Sequence, residues 1–401
     1  MSTLLRELFG GILYFGTAEG IRALVMFAIA GLLIYLAIRK DYEPALLLPI
    51  GFGAILANLP PVLMKAGAFP AVIGSPEEPG FLTTLFEAGI VTELFPILIF
   101  IAVGAMIDFS PLLRTPYMMF FGAAAQFGIF ITFLAALALT PLVGITDPDL
   151  RLKVAAAIGI IGAADGPTTI YVANHFRLAD YMAPISVAAY SYMAMVPIIQ
   201  PPVIRALTTR HERLIRMEYH ERAIHPAVRI LFPIVMTLLA GIVVPMSVPL
   251  VGSLMFGNLL RECGVLERLS KSAQNELANL VTILLGLTIG STMQADKFIR
   301  WDTLLIMLLG LVAFVFDTAG GVLFAKLLNL FLKKKVNPMI GAAGISAFPM
   351  SARVIQRMAK EEDPTNFVLM QSTSANVAGQ MGSIVAGGFI ITLVSLLLAS
   401  A

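Results

Sequence analysis

The chain has 401 residues, of which 58% are hydrophobic and 13% are charged, and its mean hydropathy is +0.88. Soluble domains carry about 25% charged residues, so this chain has too few polar side chains to cover a water-exposed surface of its size. The composition excludes an ordinary soluble protein and favours an all-α, polytopic membrane protein. A net charge of +2 gives no case for a nucleic-acid partner.

Apolar runs of spanning or near-spanning length recur along the chain. They lie around 22–38, 44–58, 94–109, 117–143, 153–175, 182–204, 227–245, 248–260, 277–293, 303–332, 338–357 and 366–399. A transmembrane helix needs about 20 apolar residues, and several of these runs are shorter or contain Gly and Pro. We therefore predict one integral membrane domain over 1–401 with roughly ten to twelve membrane segments, some of them half-helices or re-entrant hairpins.

Three less apolar segments separate these runs. The Pro/Gly-rich stretch 59–92 is predicted to be an extramembrane loop with amphipathic pieces. The segment from Arg205 to Arg229 holds six arginines, three histidines and three glutamates, which predicts a basic cytoplasmic loop over 205–228 by the positive-inside rule. Lys333 to Lys335 are a second candidate for that side. For both basic segments, the simplest role is to set the topology.

Three short blocks occur in the same order in the two halves of the chain. They pair 52–55 (FGAI) with 256–259 (FGNL), 97–108 (ILIFIAVGAMID) with 283–294 (ILLGLTIGSTMQ), and 162–164 with 341–343 (both GAA). One such match between Gly/Ala-rich helices carries little weight, but three in register favour an internal duplication. We predict a first repeat over 20–204 and a second over 229–399. Transporters built from repeats hold their substrate on interrupted helices at the repeat interface.

The first interrupted segment is 161–171 (IGAADGPTTIY). Pro167 removes a backbone donor and Gly166 permits a bend, so Asp165 is predicted to lie at a helix break inside an apolar run. A carboxylate at mid-membrane is costly without a partner. A bound Na⁺ would be such a partner, with ligands from the carboxylate, the Thr168 hydroxyl and freed carbonyls. The alternative is a protonated, hydrogen-bonded aspartic acid with a structural role.

The second interrupted segment is 337–353 (NPMIGAAGISAFPMSAR). Its small residues permit close backbone approach, and Asn337 and Ser346 offer uncharged oxygen ligands. Arg353 can form a two-pronged contact with a carboxylate, or it can extend from a helix end towards the membrane surface.

Other polar residues in apolar segments have weaker signals. Tyr192 precedes a Pro-rich helix end and fits a packing or interfacial role. Asn376 and Gln380 share one helical face, where either can bond between helices. Asp317 lies deep in the run 303–332 without a Gly-Pro break, and no role is assigned to it.

The sequence also excludes several kinds of site. A single cysteine, Cys263, excludes an intrachain disulfide, and the four histidines show no HExxH spacing for a transition metal. The dipeptide Gly-Lys is absent, which excludes a Walker A loop. Driven transport by this chain would therefore depend on an ion gradient or on a partner.

Several long motifs are similar to those of one family, the β subunits of Na⁺-translocating decarboxylases that act on oxaloacetate, methylmalonyl-CoA or glutaconyl-CoA. The motifs are 47–53, 122–128, 162–171, 191–202, 257–262 and 337–353. The resemblance implies a carboxybiotin decarboxylase that couples this reaction to Na⁺ export across the inner membrane. It also implies inverted repeats, an elevator-like core moving against a scaffold, and a trimeric assembly. The implied cofactors are Na⁺ and carboxybiotin, the latter presented by a carboxyltransferase/biotin-carrier subunit, and a small membrane anchor subunit completes the complex.

The resemblance also places the family's functional residues on this sequence. The implied catalytic residues are Asp165, Tyr192 and Arg353, and the implied Na⁺ ligands are Asp165, Asn337, Ser346 and Asn376. The predicted pathway and hinge residues are Gly166, Pro167, Thr168, Gly341 and Gly344.

Two other functions remain open from the sequence. The first is a stand-alone Na⁺-coupled carboxylate transporter or antiporter that uses the same broken helices. The second is a membrane anchor for soluble subunits, which would not need buried polar residues such as Asp165.

Overall fold

The computed structural model describes residues 10–60, 80–218 and 223–400, and every regular element within these ranges is helical. The α-helices that precede the basic segment are α1 (Gly10–Tyr14), α2 (Ala18–Lys40), α3 (Pro44–Ala57), α4 (Phe81–Phe86), α5 (Leu94–Met106), α6 (Ser110–Arg114), α7 (Met119–Ala125), α8 (Phe127–Leu139), α9 (Pro148–Ile161), α10 (Gly166–His175), α11 (Met182–Ala194) and α12 (Val196–Leu207). Short 3-10 turns follow α6, α8 and α10, and a π-helical turn, Glu87–Val91, follows α4.

The rest of the described chain is also helical. Its α-helices are α13 (Arg210–Arg213), α14 (Pro226–Val243), α15 (Val248–Glu262), α16 (Glu267–Ser272), α17 (Ala278–Ser291), α18 (Ala295–Phe298), α19 (Trp301–Phe331), α20 (Met350–Glu362) and α21 (Leu369–Ser400). A 3-10 helix, Pro338–Gly344, lies between α19 and α20. Polar residues begin several of these helices, as where Asp147 accepts a bond from the Leu150 amide at the start of α9.

Five of the described segments are long and apolar enough to cross a membrane. They are Ala18–Lys40, Pro116–Val143, Pro226–Val243, Trp301–Phe331 and Leu369–Ser400. Two bent pairs meet the same criterion, Phe81–Val91 with Leu94–Met106 at 63° and Ala179–Ala194 with Val196–Leu207 at 69°. The described chain therefore has five to seven candidate spans. Other apolar runs form helices too short to span, such as the 14-residue α3. The predicted ten to twelve segments included such half-helices, and that number stays a prediction. The bends agree with the expectation of broken or re-entrant helices.

The prediction of an extramembrane loop over 59–92 is wrong for the end of that segment. Residues 61–79 lie outside the described ranges, but α4 and its π-turn form the first arm of the bent pair with α5. The reason is the apolar content of 81–91, where Leu82 and Ile90 are buried in the protein core.

The duplicated blocks pack crosswise. Block 52–55 lies on α3 and packs against α17, which carries residues 283–291 of the matching block. Block 256–259 lies on α15 and packs against α5, which carries residues 97–106 of the other. Both contacts depend on glycine, since a Cβ on Gly53 would meet Gly290 Cα at 3.0 Å and a Cβ on Gly257 would meet the Ala105 amide at 2.9 Å. A two-fold relation between the halves would give such an exchange, and the repeat remains a prediction.

The other half of the core surrounds the two interrupted segments. Helix α19 packs against α8, α9 and the 3-10 helix Pro338–Gly344, and α21 packs against α7, α9, α10 and the same 3-10 helix. These contacts enclose the segments that carry Asp165 and Ser346, both of which are buried.

The basic segment is more ordered than a loop. Within it, α12 runs on to Leu207, and Thr209 and Glu212 form a capping box at α13. Arginines from this segment pair with acids at the end of α20, namely Arg205 with Glu361, Arg210 and Arg213 with Glu362, and Arg216 with Asp363. The segment is therefore attached to the helix that carries Arg353.

Candidate functional site

Asp165 lies at the break between α9 and α10. Helix α9 ends at Ile161, Ala164 has a φ of 53° in the left-handed region, and Pro167 lies in the first turn of α10. Asp165 is the N-cap residue, and its Oδ1 accepts the Thr168 amide at 3.2 Å. The predicted break at Gly166 and Pro167 is thus confirmed, and it directs the carboxylate into the protein interior.

The other carboxylate oxygen, Oδ2, accepts hydrogen bonds from four side chains on three segments. The donors are Thr168 Oγ1 at 2.7 Å, Ser346 Oγ at 3.0 Å, Ser383 Oγ at 2.7 Å and Gln380 Nε2 at 3.4 Å. Asp165 is only 3% exposed. Three hydroxyl oxygens and one carboxylate therefore converge at a buried point, and we call Asp165, Thr168, Ser346, Gln380 and Ser383 the carboxylate cluster.

The second interrupted segment reaches this cluster through its backbone. After the 3-10 helix Pro338–Gly344 the chain becomes extended at Ile345, and the Ser346 amide donates to the Ala163 carbonyl at 2.9 Å. Gly344 makes the approach possible, because a Cβ there would overlap the Phe121 carbonyl. The structure thus brings together the two interrupted segments that the sequence singled out.

A cavity of about 270 Å³ adjoins the carboxylate cluster. Asp165, Ser346, Gln380 and Tyr190 line one side of it. Helices α3, α5 and α17 also line the cavity, through Leu46, Phe100, Val103, Thr282 and Leu285. The cavity therefore lies between the broken segments and the group of helices that carries the duplicated blocks.

Asn376 lies one turn before Gln380 on α21 and is fully buried. Its Nδ2 donates to the Ile345 carbonyl at 2.7 Å, which leaves Oδ1 with no partner among the described residues. A buried amide oxygen without a donor is rare in proteins. This oxygen is available as a ligand beside the second interrupted segment.

Asn337 is placed differently from the other predicted ligands. Its Nδ2 donates to the carbonyls of Arg213 and Ile215 at 2.9 Å each, and its Oδ1 accepts the Met339 amide at 3.1 Å. Asn337 therefore caps the 3-10 helix and attaches it to the basic segment. It makes no hydrogen bond to the carboxylate cluster, and nor does Gly341, which packs against Gly321 on α19.

The two tyrosines of α11 have different surroundings. The Tyr192 hydroxyl donates to the Met307 carbonyl on α19, and the residue is not among those lining the cavity. Tyr190 lines the cavity, and its buried hydroxyl has no hydrogen-bond partner in the described structure. Its ring also lies against Gly166, where a Cβ would overlap it. The tyrosine beside Asp165 is thus Tyr190 and not Tyr192.

Arg353 lies on the exposed side of the first turn of α20. Its charge interacts with that of Glu43, which precedes α3 and lines the same cavity. Arg353 makes no contact with Asp165 in the described structure. Arg353 is not among the residues that line the cavity, whereas Glu43 is.

Sequence reasoning missed part of the carboxylate cluster. Ser383 was not singled out, and Gln380 was considered only for packing. The signal was present, because positions 376, 380 and 383 follow a spacing of four and three residues that places them on one face of α21. Nothing in the local sequence separates Tyr190 from Tyr192, since their positions relative to Asp165 depend on how α11 packs.

Comparison with known proteins identifies the family. The sequence model of the protein family described as "Na⁺-transporting oxaloacetate decarboxylase beta subunit" matches residues 22–394. The chain is 46% identical over 385 residues to the methylmalonyl-CoA decarboxylase subunit beta of Propionigenium modestum, covering 92% of this chain and 94% of that protein. The chain belongs to this family. It is therefore the membrane component of a Na⁺-transporting decarboxylase.

Two further relatives are equally similar. The oxaloacetate decarboxylase beta chain 2 of Salmonella typhi is 45% identical over 431 residues, covering 96% of this chain and 97% of that one. The glutaconyl-CoA decarboxylase subunit beta of Acidaminococcus fermentans is 46% identical over 371 residues, covering 92% of each. Three relatives named for three substrates thus share this subunit to nearly the same degree, so overall identity does not indicate the acid. The family supports a decarboxylase subunit over the stand-alone transporter and the simple anchor.

Proposed function

We propose that the carboxylate cluster holds the Na⁺ that this β subunit transports. The observation that carries the proposal is a buried carboxylate surrounded by hydroxyl oxygens from Thr168, Ser346 and Ser383 at 2.7–3.0 Å. Small hard cations prefer such oxygen ligands. Asn376 Oδ1, which has no donor of its own, is a further ligand from the same face of α21.

Rotatable hydroxyls allow the cluster to exist with and without the cation. A serine or threonine hydroxyl donates one hydrogen bond and has two lone pairs. Without Na⁺ the hydroxyls donate to Asp165, which compensates its charge. With Na⁺ they rotate, and their oxygens and the carboxylate face the cation. Asn337 is left outside this ligand set because the basic segment and the 3-10 helix occupy its amide.

We further propose that the broken segments move as a core against a scaffold formed by α3, α5, α15 and α17. The cavity of about 270 Å³ lies at the boundary between these groups. Glycine contacts hold the scaffold helices together, as at Gly53 and Gly257. Alternating access requires one group of helices to move against another, and the rigid scaffold beside the cavity would be the stationary group.

The reaction that drives transport is proposed to be the decarboxylation of carboxybiotin presented by a carboxyltransferase/biotin-carrier subunit. In this step the bond between the carboxyl carbon and the biotin nitrogen breaks, CO₂ leaves, and a proton takes its place on the nitrogen. Arg353 is suited to pair with the incoming carboxylate. Tyr190, which has a free hydroxyl at the cavity, is better placed than Tyr192 to transfer the proton. A small membrane anchor subunit, a trimeric assembly and the inner membrane complete the proposal.

The test of the sodium site uses Asp165→Asn in the whole complex, reconstituted in proteoliposomes. We expect loss of Na⁺-stimulated decarboxylation and of Na⁺ uptake. The matched control is Asp108→Asn, which changes a carboxylate outside the cluster that accepts the Ser110 amide at 2.8 Å. Unchanged Na⁺ stimulation in Asp165→Asn would refute the assignment.

The test of the proton donor compares Tyr190→Phe with Tyr192→Phe in the same preparation. General acid catalysis contributes at least about 100-fold to a rate, so Tyr190→Phe should lower kcat by this order while Tyr192→Phe retains it. Full activity in Tyr190→Phe would exclude its hydroxyl as the proton donor.

A further experiment tests whether the chain works with an enzymatic partner. Retention of a biotinylated protein during purification of the native complex distinguishes a pump subunit from a plain transporter.

A further inference from the structure

Asp317 is a second buried acid, and the proposed sodium site does not use it. It lies at the middle of α19, sixteen residues after Trp301 and fourteen before Phe331, and is 0% exposed. A helix of 31 residues is about 46 Å long, against about 30 Å for the hydrocarbon core. Asp317 therefore lies at the middle of a candidate span.

The two oxygens of Asp317 have different environments. Oδ1 accepts the Ile129 amide at 3.0 Å, and the Gly128 amide also donates to the carboxyl group. These amides belong to the first turn of the 13-residue helix α8, which has no side-chain cap of its own. Oδ2 has no hydrogen-bond partner among the described residues. One oxygen of Asp317 thus caps the start of a different helix, α8, while the other oxygen is buried and has no hydrogen-bond partner among the described residues.

Close backbone contacts surround this carboxyl group. A Cβ on Gly128 would overlap Oδ1, and a Cβ on Gly162 would lie 2.8 Å from Oδ2 and 2.6 Å from the Ala313 side chain. A sodium ion needs several oxygen ligands, whereas a proton needs only the carboxyl oxygen itself. The tight contacts and the absence of neighbouring side-chain oxygens among the described contacts favour a proton.

The titratable residues on neighbouring helices do not determine whether Asp317 is protonated or ionised. Helices α7 and α8 and the 3-10 helix, which pack on α19, contain no titratable residue. The titratable residues of the other packed helices are Asp149, Arg151 and Lys153 at the start of α9, Tyr190 and Tyr192 on α11, and Arg205 at the end of α12. The described contacts of Asp317 itself are Gly128, Ile129, Gly162 and Ala313. Two effects therefore oppose each other, since two amides at a helix start favour the ionised form and burial of an unpaired oxygen favours the neutral one.

We propose that Asp317 binds and releases a proton in response to Na⁺ at the carboxylate cluster. The two sites share a segment, because Oδ2 lies against Gly162, three residues before Asp165. A cation at Asp165 favours the ionised form of Asp317, and ionised Asp317 in turn favours the cation. The inference rests on the proposed sodium site and adds a proton site to it.

The first experiment detects the proton directly. Infrared spectra of the purified chain in liposomes are recorded over a pH series, and the carbonyl band of protonated carboxyl groups is followed. We expect a component that titrates, that is absent from Asp317→Asn and that remains in Asp165→Asn. Asp317→Glu should shift this component, which keeps the test valid if the asparagine variant folds poorly. If no protonated component depends on residue 317, or if it is present unchanged at every pH, the proposal is wrong.

The second experiment measures the linkage by equilibrium binding of ²²Na⁺ to the same chain. Asparagine mimics the neutral acid, so Asp317→Asn should match the unchanged chain at acidic pH and bind Na⁺ about 5-fold more weakly at alkaline pH. A ratio of affinities that does not depend on pH would overturn the linkage. No saturable binding by the unchanged chain would instead refute the sodium site, so the two failures can be told apart.

Discussion

Asp165 and Asp317 are both buried acids that accept backbone amides at the start of a helix, yet their other surroundings differ. Asp165 is bonded to three hydroxyls and an amide side chain, next to a cavity of about 270 Å³. Asp317 is bonded to backbone amides and lies against glycine. Side-chain donors can rotate and give way to a cation, whereas backbone amides in a helix cannot. The comparison indicates that the surroundings of a buried carboxylate decide what it binds.

The largest effect should come from removing the rotatable donors of Asp165. The double variant Ser346→Ala, Ser383→Ala removes two of the proposed oxygen ligands of the cation. We expect Na⁺ affinity to fall roughly 100-fold, measured by ²²Na⁺ binding. Ser186→Ala is the control, because that buried hydroxyl has no partner in the described structure. Equal affinities in both variants would mean that these hydroxyls are not ligands.

Filling the tight region around Asp317 should reduce stability. In Gly128→Ala the new methyl group overlaps the Asp317 carboxyl group and lies 2.8 Å from the Ala313 carbonyl. Overpacking of this kind costs about 1–3 kcal/mol, which thermal unfolding in detergent should detect. Gly31→Ala on α2 is the control, since nothing lies within 4 Å of its Cβ position. If the two variants are equally stable, the region is less rigid than the comparison requires.

Removing the hydroxyl of Tyr190 or of Tyr192 should change the stability by different, smaller amounts. Tyr192→Phe removes the hydrogen bond to the Met307 carbonyl and should lower the free energy of unfolding by about 1 kcal/mol. Tyr190→Phe removes a hydroxyl without a partner and should leave stability unchanged or slightly higher. Chemical unfolding of both variants measures the difference. A larger loss in Tyr190→Phe would show that its hydroxyl already has a structural role.

The smallest effect is expected at the surface, where Asp363 joins α20 to the basic segment. Hydrogen bonds from the Thr365 hydroxyl and amide, together with Arg216, lower the pKa of Asp363 from 3.8 to about 2. A lowered pKa means that the ionised form contributes stability above pH 3.8 and that this contribution disappears as the pH falls to about 2.

Asp363→Asn should therefore be slightly less stable than the unchanged chain at neutral pH, and the difference should vanish below pH 2, where Asp363 is protonated in the folded chain. Thermal unfolding at both pH values measures this, and added salt should reduce the neutral-pH difference because the group is exposed. A difference that persists at low pH would assign the effect to something other than the charge.

Local sequence determined the helix breaks, and long-range packing determined the ligands. A Gly-Pro pair inside an apolar run favours an interruption of the helix, so the break at Asp165 could be predicted from Gly166 and Pro167. The cluster joins residues 181 and 218 positions apart, Asp165 with Ser346 and with Ser383. Ser346 was found because it also lies in an interrupted segment, whereas Ser383 lies in the middle of a continuous helix and gave no such signal.

Two other differences between the sequence-based predictions and the structure also arise from contacts between distant segments. The amide of Asn337 is a suitable ligand by type, but it is bonded to the Arg213 and Ile215 carbonyls of a segment more than 120 residues away. Pro and Gly residues precede 81–91, and their presence predicts a loop. In the structure these apolar residues form a bent pair with α5 and are part of a candidate span. Periodicity and composition describe one segment at a time, and neither reports which segments meet.

Equilibrium binding of ²²Na⁺ to the purified chain tests the central assignment most directly. We predict saturable binding by the unchanged chain, retained binding by Asp317→Asn and no saturable binding by Asp165→Asn. Saturable binding of unchanged affinity in a folded Asp165→Asn chain would contradict it.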